Sequence, residues 1–268
     1  MKYCRFSLNG ATHYGSVEDR NGEFWIAGLV EPPEEDLAFR LKHCRSAALG
    51  FQPMLLSAVQ LLPPVTPSKI VCIGRNYRAH VRELGNEMPT EPLIFLKPPS
   101  SLLAPGGVIR MPAVSERVDY EGELAVVIGR RARNLKPDAD WRDVVRGFTL
   151  ANDVTARDLQ KKDDQWTRAK GFDTFCPVGP IVCDELDLDA GLTIETHLNG
   201  ERRQQGSTLD FIFSLRELLA YITSVFTLEP GDLLLTGTPS GIAPLSPGDR
   251  VEISIPGLGV LANAVEAD

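Results

Sequence analysis

Apolar positions along this chain alternate with polar ones or cluster in short runs, and Gly or Pro ends nearly every run. That pattern predicts strands rather than long helices. The opening segments "KYCRFSLNG" and "HYGSVED" alternate in this way, and the Asn21-Gly22 pair in "DRNGEFWIAGL" predicts a tight β-hairpin turn. A small β-rich N-terminal unit is the simplest assignment. The stretch "LLPPVTPSKIVCIG" then joins a proline cluster to a new apolar run from Ile70, which places a domain boundary near residue 66. Residues 1–66 would form the small domain and residues 67–268 the larger one.

Beyond that boundary the runs "KIVCIG", "PLIFLKP", "GELAVVIG", "GFTLAND", "GPIVC", "LTIETHLNGERR", "DLLLTG" and "RVEISIPG" read as strands. The clearest helix is "STLDFIFSLRELLAYITSVFTL", with Ser207 or Thr208 as cap and Phe211, Leu215, Leu218, Leu219 and Ile222 at helical spacing. No G-x-G-x-x-G follows a strand, and long helices do not alternate with the strands, which argues against a doubly wound nucleotide-binding sheet. The class expected is α+β, mainly β.

One strand breaks the pattern. In "VDYEGELAVVIG", Asp119, Glu121 and Glu123 are spaced two apart, so an extended chain projects all three from one face and Tyr120, Leu124, Val126 and Ile128 from the other. The acidic face continues as Ala125 and Val127, back into apolar packing. Same-face neighbours lie about 7 Å apart, so two Glu side chains can converge on one ion. Asp153, beside Asn152 at the end of "GFTLAND", offers a further carboxylate. The alternative is a solvated strand edge, or pairing with nearby arginines.

Composition narrows the chemistry. The chain of 268 residues can bury a sizeable core, and 28 Lys and Arg against 36 Asp and Glu give a net charge of −8. With a pI near 5.1, an electrostatic footprint for nucleic acid or an anionic membrane is not expected. The opening "MKYCRFSLNG" lacks the apolar stretch of a signal peptide, and no run approaches the roughly 18 apolar residues of a membrane span; a cytoplasmic location is expected. Cys4, Cys44, Cys72, Cys176 and Cys183 are scattered without a C-x-x-C pair, which suits small buried hydrophobes rather than a disulfide framework or thiolate zinc site. His13, His43, His80 and His197 are likewise dispersed, so an oxygen-ligated Mg²⁺ or Mn²⁺ is favoured over Zn²⁺, and His13 and His197 read as surface residues.

A second informative stretch is "IGRNYRAHVRELG". His80 and Glu83 are three apart, so on a short helix they share a face and the carboxylate can orient the imidazole. Such a dyad can activate water, although exposed His–Glu pairs also occur without that role.

In order, "IGRNYRAHVRELG", "FLKPPSSL", "VDYEGELAVVIG", "GFTLANDVTARDLQ", "QWTRAKGFDTFCPVGP", "LNGERRQ", "GDLLLTGTPSG" and "GDRVEISIPGLGVLAN" resemble the fumarylacetoacetate hydrolase family, in its acylpyruvase and oxaloacetate decarboxylase branch, over about residues 67–264. The resemblance implies a rolled β-sheet catalytic domain behind a smaller N-terminal domain, assembled as a homodimer. It implies Glu121, Glu123 and Asp153 as ligands of Mg²⁺ or Mn²⁺, with Asp119 a supporting acid. His80 and Glu83 resemble a water-activating dyad on a lid whose tip is "ELGNEMPTEP", and Lys170 resembles the lysine facing bound substrate. Arg157, Gln160 and Thr238 resemble groups that hold carboxylate and oxo oxygens of a small 2-oxo or 2,4-dioxo acid. Arg75 and Lys97 are left between substrate contact and ion-pair support.

The chemistry implied is that of a hard Lewis acid stabilising an enolate as the C3–C4 bond of a 2-oxo acid breaks. Water attack gives acylpyruvate hydrolysis, loss of CO₂ gives oxaloacetate decarboxylation, and proton exchange alone gives keto–enol tautomerisation of oxaloacetate or a 2-hydroxy-dienedioate. An ammonium beside a divalent ion would have its pKa lowered, which suits Lys170 as a proton donor. A non-catalytic, metal-dependent dicarboxylate binder is the reading from another class. It would bind ligand without releasing product.

Overall fold

A computed structural model describes residues 1–33 and 50–268. Cys44 and His43 lie outside the described residues. The fold is mainly β, as the short apolar runs predict. A large sheet runs in the order Met54–Leu55, Glu23–Val30, Ala11–Arg20, Lys2–Leu8, Cys176–Cys183, Val145–Asn152, Gly122–Ile128, Leu233–Leu235, Ile70–Gly74, Leu93–Lys97. A five-stranded sheet runs Glu201–Ser207, Thr193–Leu198, Arg250–Ile255, Gly259–Ala267, Val108–Met111.

The Asn21-Gly22 turn forms as expected, with φ of 57° and 89° joining Ala11–Arg20 to Glu23–Val30. Lys2 and Tyr3 pair with Cys183 and Val182, so strand pairing in the large sheet crosses residue 66. No helix among the described residues is long and apolar enough to cross a membrane.

The strand Gly122–Ile128 is buried along its whole length. Leu124, Val126 and Ile128 pack in the larger core with Phe148, Leu234 and Ile253, while Ala125 and Val127 pack on the other face with Ile70, Val178 and Leu235. Gly122 is required where it stands, between the two glutamates: a Cβ there would lie 2.1 Å from Thr196 Oγ1 of the five-stranded sheet. The two sheets therefore meet directly behind the acidic residues.

The main helix starts later than the sequence pattern suggests. It spans Leu215–Val225 (α4), and Ser214 caps it in a box with Glu217; Ser207 instead caps a single 3₁₀ turn at Thr208–Asp210. Phe211 lies outside the helix because the intervening segment is tied to Asn76, which accepts from the Phe213 and Ile212 N–H groups through its side chain and backbone oxygens respectively. Leu215, Leu218, Leu219 and Ile222 are buried as predicted, each stabilising the packing by about 1.5–3 kcal/mol.

The cysteines described behave as small hydrophobes. Cys4, Cys72, Cys176 and Cys183 are buried free thiols, and burial pushes Cys4 and Cys176 up to about 12, far from the reactive thiolate. His13 and His197 are half-buried.

Candidate active site

Strand register brings the three carboxylates together. Gly122 pairs with Asn152 in the antiparallel ladder between Gly122–Ile128 and Val145–Asn152, so the residue after Asn152 falls opposite the residue before Gly122. The Asp153 N–H donates to Glu121 O (2.9 Å), and the Glu121 N–H donates to Asn152 Oδ1 (2.9 Å). Glu121, Glu123 and Asp153 are all buried, with one carboxylate oxygen of each within 4.8 Å of the others.

Asp119 takes no part in this cluster. The strand breaks after it, and Val118–Asp119 pairs separately with Thr155–Ala156. Its carboxylate accepts from Arg117 Nε (2.8 Å) and from Arg157 Nε (3.0 Å). The same-face alternation of three acids therefore holds for Glu121 and Glu123 alone.

Cations surround the cluster. Lys170, the last residue of a short helix at Thr167–Lys170 (α3), places Nζ 2.6 Å from Asp153 Oδ2 and 2.9 Å from Glu121 Oε2. Arg157 opens the helix Arg157–Lys162 (α2) and donates Nη2 to Glu121 Oε1 (2.5 Å). Lys97, 1% exposed, donates to Asp153 Oδ1 (2.6 Å) and to Val154 O (3.1 Å), which makes its observed contacts those of buried ion-pair support. Burial would raise the Glu121 pKa, but the Lys170 and Arg157 charges hold it well below the usual carboxylate range. Burial and the neighbouring Asp153 and Glu121 charges push Glu123 well above that range. Burial opposes the Lys170 charge, yet Asp153 and Glu121 outweigh it and raise its pKa.

The donor set fits a hard divalent cation. All three converging groups are carboxylates, without nitrogen or sulfur, as Mg²⁺ or Mn²⁺ favours. The strain on Glu123 is what two positive charges at this point would relieve.

A cavity of roughly 260 Å³ opens above the carboxylates. It is lined by eight of the nine residues to which the resemblance gave a metal, substrate or catalytic role: Glu121, Glu123, Asp153, Lys170, Arg157, Gln160, Thr238 and His80. The ninth, Glu83, stands behind His80 on the helix Arg78–Glu83 (α1), with Oε2 2.9 Å from His80 Nδ1. Its other oxygen accepts from the Gly241 N–H (2.8 Å), which ties α1 to the 237–241 loop. Burial works against the Glu83 charge, but these two hydrogen bonds hold its pKa below the ordinary value. With Nδ1 engaged, Nε2 is the His80 nitrogen available to the cavity.

Two placements refine the substrate-holding expectations. Gln160 Oε1 accepts from Arg157 Nη1 (2.6 Å), which leaves its amide N–H groups for an incoming oxygen. Thr238 Oγ1 donates to Gly122 O (2.9 Å) and accepts from Gln204 Nε2 (2.8 Å), so in this arrangement its hydroxyl hydrogen is already committed.

Sequence reading passed over Gln204, although the residue closes the stretch "LNGERRQ". Fully buried, it accepts from the Gly122 N–H (3.0 Å) and donates to Thr238 Oγ1 and Pro239 O, joining the acidic strand to the 237–241 loop. A glutamine in an alternating polar strand gives no local signal of that role. Gly237, with φ of 100°, donates its N–H to Glu123 Oε2 (2.6 Å) and completes the same frame.

The model for the fumarylacetoacetate (FAA) hydrolase C-terminal domain matches residues 69–266. An oxaloacetate tautomerase of Bacillus subtilis is 42% identical over 224 residues, covering 78% of this chain and 74% of that protein. A mitochondrial oxaloacetate decarboxylase of Dictyostelium discoideum is 45% identical over 199 residues, covering 72% and 91%. Among solved structures, a 2-hydroxyhepta-2,4-diene-1,7-dioate isomerase from Mycobacterium marinum superposes with a TM-score of 0.86 at 38% identity, covering 100% of this chain and 99% of the other.

Proposed function

Because this chain belongs to the fumarylacetoacetate hydrolase family, we propose that it is a divalent-metal-dependent enzyme acting on 2-oxo and 2,4-dioxo acids at the cavity above Glu121, Glu123 and Asp153. The observation that carries this reading is the convergence of three buried carboxylates at the base of a cavity whose wall presents a paired His80 and Glu83. Oxaloacetate-acting relatives support the substrate class.

A divalent ion held there would supply a Lewis acid that stabilises negative charge developing on a 2-oxo oxygen. Every other part belongs to the chain. Arg157 and the Gln160 amide orient the carboxylate head, with Arg157 itself fixed by Asp119 and Glu121. His80 Nε2 takes the proton from a water attacking the 4-oxo carbon of an acylpyruvate, and Glu83 fixes the tautomer by holding Nδ1. Lys170 Nζ, held over the Phe95 ring at 4.9 Å, delivers a proton to C3 as the bond breaks. For oxaloacetate, loss of CO₂ requires no attacking water.

Tautomerisation is the second reading. His80 and Lys170 both line the cavity, and a base with an acid suffices to move a proton between C3 and the 2-oxo oxygen without cleavage. The relative named a tautomerase favours it.

The deciding assay offers acetylpyruvate, fumarylpyruvate and oxaloacetate to metal-stripped protein with and without added Mg²⁺ or Mn²⁺, and identifies the product. A carboxylic acid with pyruvate marks hydrolysis, CO₂ marks decarboxylation, and an isomer alone marks tautomerisation. Undiminished turnover after exhaustive chelation sinks the metal-dependent reading, and metal-dependent binding without any product leaves a dicarboxylate binder. The same family reading makes the chain a homodimer, which sedimentation tests as twice the 29.4 kDa chain mass.

A further inference from the structure

We propose that Tyr120 is a positioning residue of the active site: its hydroxyl holds the Gly241 backbone, whose N–H in turn orients the Glu83 carboxylate against His80. The proposal rests on the reading of His80 and Glu83 as the water-activating pair.

Tyr120 stands between Asp119 and Glu121, yet it is absent from the cavity wall. It is fully buried in an apolar cluster with Val154, Leu245 and Val251. From there its Oη donates to Gly241 O (2.9 Å), and the Gly241 N–H donates to Glu83 Oε1 (2.8 Å). The other Glu83 oxygen lies 2.9 Å from His80 Nδ1. Three hydrogen bonds in series therefore join a core tyrosine to the imidazole that borders the cavity.

Gly241 is a joint that needs holding. Its φ of 105° belongs to glycine, and a Cβ there would lie 2.1 Å from Arg203 O. The residue that fits this place is thus the one with the least stiffness of its own. The other end of the 237–241 loop is fixed by Glu123, Gly122 and Gln204. At Gly241, Tyr120 and Glu83 are the side chains that bond it among the described residues. The chain beyond it stays with the same segment: Asp119 bridges to Pro244, and the Leu245 N–H donates to Val118 O (2.8 Å).

Glu83 needs the joint in turn. Helix α1 has six residues, too few to hold its shape unaided, and of these His80 and Val81 alone are buried. The Glu83 side chain is 30% exposed, so water competes for its carboxylate. With Oε1 tied to Gly241, Oε2 faces His80 Nδ1, which keeps the proton on Nδ1 and leaves Nε2 as the base. Loss of the tyrosine hydroxyl frees the Gly241 peptide to turn, and the carboxylate follows it. The bonds that gather Glu121, Glu123 and Asp153 do not pass through this hydroxyl.

The test compares Tyr120→Phe with the wild type. The substitution removes one oxygen and keeps the ring; thermal melts verify the fold. Hydrogen exchange of the full chain, without metal or substrate, is read first by mass spectrometry. Peptides covering residues 78–86 and 237–245 should exchange about tenfold faster in the variant, while α4 exchanges as in the wild type. Kinetics with Mn²⁺ are read second. Acetylpyruvate hydrolysis should fall about tenfold through kcat, whereas Mn²⁺ affinity and oxaloacetate decarboxylation, which needs no attacking water, should stay within about twofold. In a Glu83→Ala background the same substitution should change hydrolysis by less than about twofold, because the link is already cut. Unchanged exchange at 78–86, equally faster exchange in α4, or equal losses of hydrolysis, decarboxylation and Mn²⁺ binding overturn the proposal. So does a full tyrosine effect in the Glu83→Ala background. A wild type that hydrolyses no acylpyruvate refutes the reaction instead, and selective exchange at 78–86 then leaves the brace standing.

Discussion

Lys170 Nζ lies 2.6 Å from Asp153 Oδ2, so an ammonium holds one of the oxygens that Asp153 has for a divalent ion. The same nitrogen holds Glu121 Oε2 at 2.9 Å. A metal bound at this cluster would compete with Lys170 for two carboxylates. Lys170→Met is expected to bind Mn²⁺ at least as tightly as the wild type, while turnover falls by about 10²–10⁴-fold through loss of the proton donor. Electron paramagnetic resonance of free Mn²⁺ measures the first and steady-state kinetics the second. Weaker Mn²⁺ binding in the variant would show that the lysine supports the metal rather than opposing it.

Burial, and then the neighbouring Asp153 and Glu121 charges, hold the Glu123 pKa well above the ordinary range. Glu123→Gln removes both the buried charge and its repulsion by Asp153 and Glu121. The metal-free variant should melt no lower than the wild type, or higher by about 2–4 °C, the shift that about 1 kcal/mol gives in a domain of 150–250 residues. The wild type is expected to gain about 2.7 kcal/mol from Mg²⁺ at a hundred times its Kd, and the variant to lose that gain. A marked fall in the metal-free midpoint would contradict the electrostatic account.

Glu83 carries two jobs through two oxygens, one on His80 and one on the Gly241 N–H. His80→Ala and Glu83→Ala should each lower acylpyruvate hydrolysis by about 10²-fold or more, with Mn²⁺ binding retained. Near-normal hydrolysis in both would remove the pair from the reaction.

The depressed Glu83 pKa also sets a pH dependence. A carboxylate lowered on folding contributes stability that is present above its unfolded value, near 4.3, and is lost as pH falls through the lower folded value. The difference in melting midpoint between wild type and Glu83→Gln should therefore be constant from about pH 6 to 8 and shrink below about pH 4. A difference that changes across neutral pH would assign the titration to another group.

Gly122 has no room for a side chain, since a Cβ would lie 2.1 Å from Thr196 Oγ1. Gly122→Ala should destabilise the fold by about 1–3 kcal/mol and weaken Mn²⁺ binding, because the residue sits between the two glutamates it spaces. Denaturant unfolding and metal titration measure the two effects. Wild-type values for both would mean that the sheets separate at no cost.

Much of the site was legible because its parts lie in local patterns. Glu121 and Glu123 stand out as charges in an apolar strand, and His80 with Glu83 as a helical pair. Spacing alone puts Asp119 on the same face, but the ladder is interrupted after it and Arg117 and Arg157 take its carboxylate, which suits the supporting acid that the resemblance implied. The start of α4 was misplaced for a similar reason. Ser207 and Ser214 both have a downstream acidic partner, and the contacts of distant Asn76 with residues 212 and 213 decide which one begins the long helix.

Alternation and punctuation in the sequence by themselves determined a mainly β chain, an N-terminal hairpin, a buried acidic strand and an oxygen-rich donor set. Those properties depend on each residue's own chemistry and on neighbours a few positions away. Only the tertiary structure decided that strand register closes Asp153 onto Glu121, that Gln204 braces the acidic strand against the 237–241 loop, and that the Arg75 side chain has no hydrogen bond or ion pair among the described residues. Each of these follows from strand register and chain crossings between segments far apart in sequence, and a burial or an ion pair exists only once the fold has placed both partners.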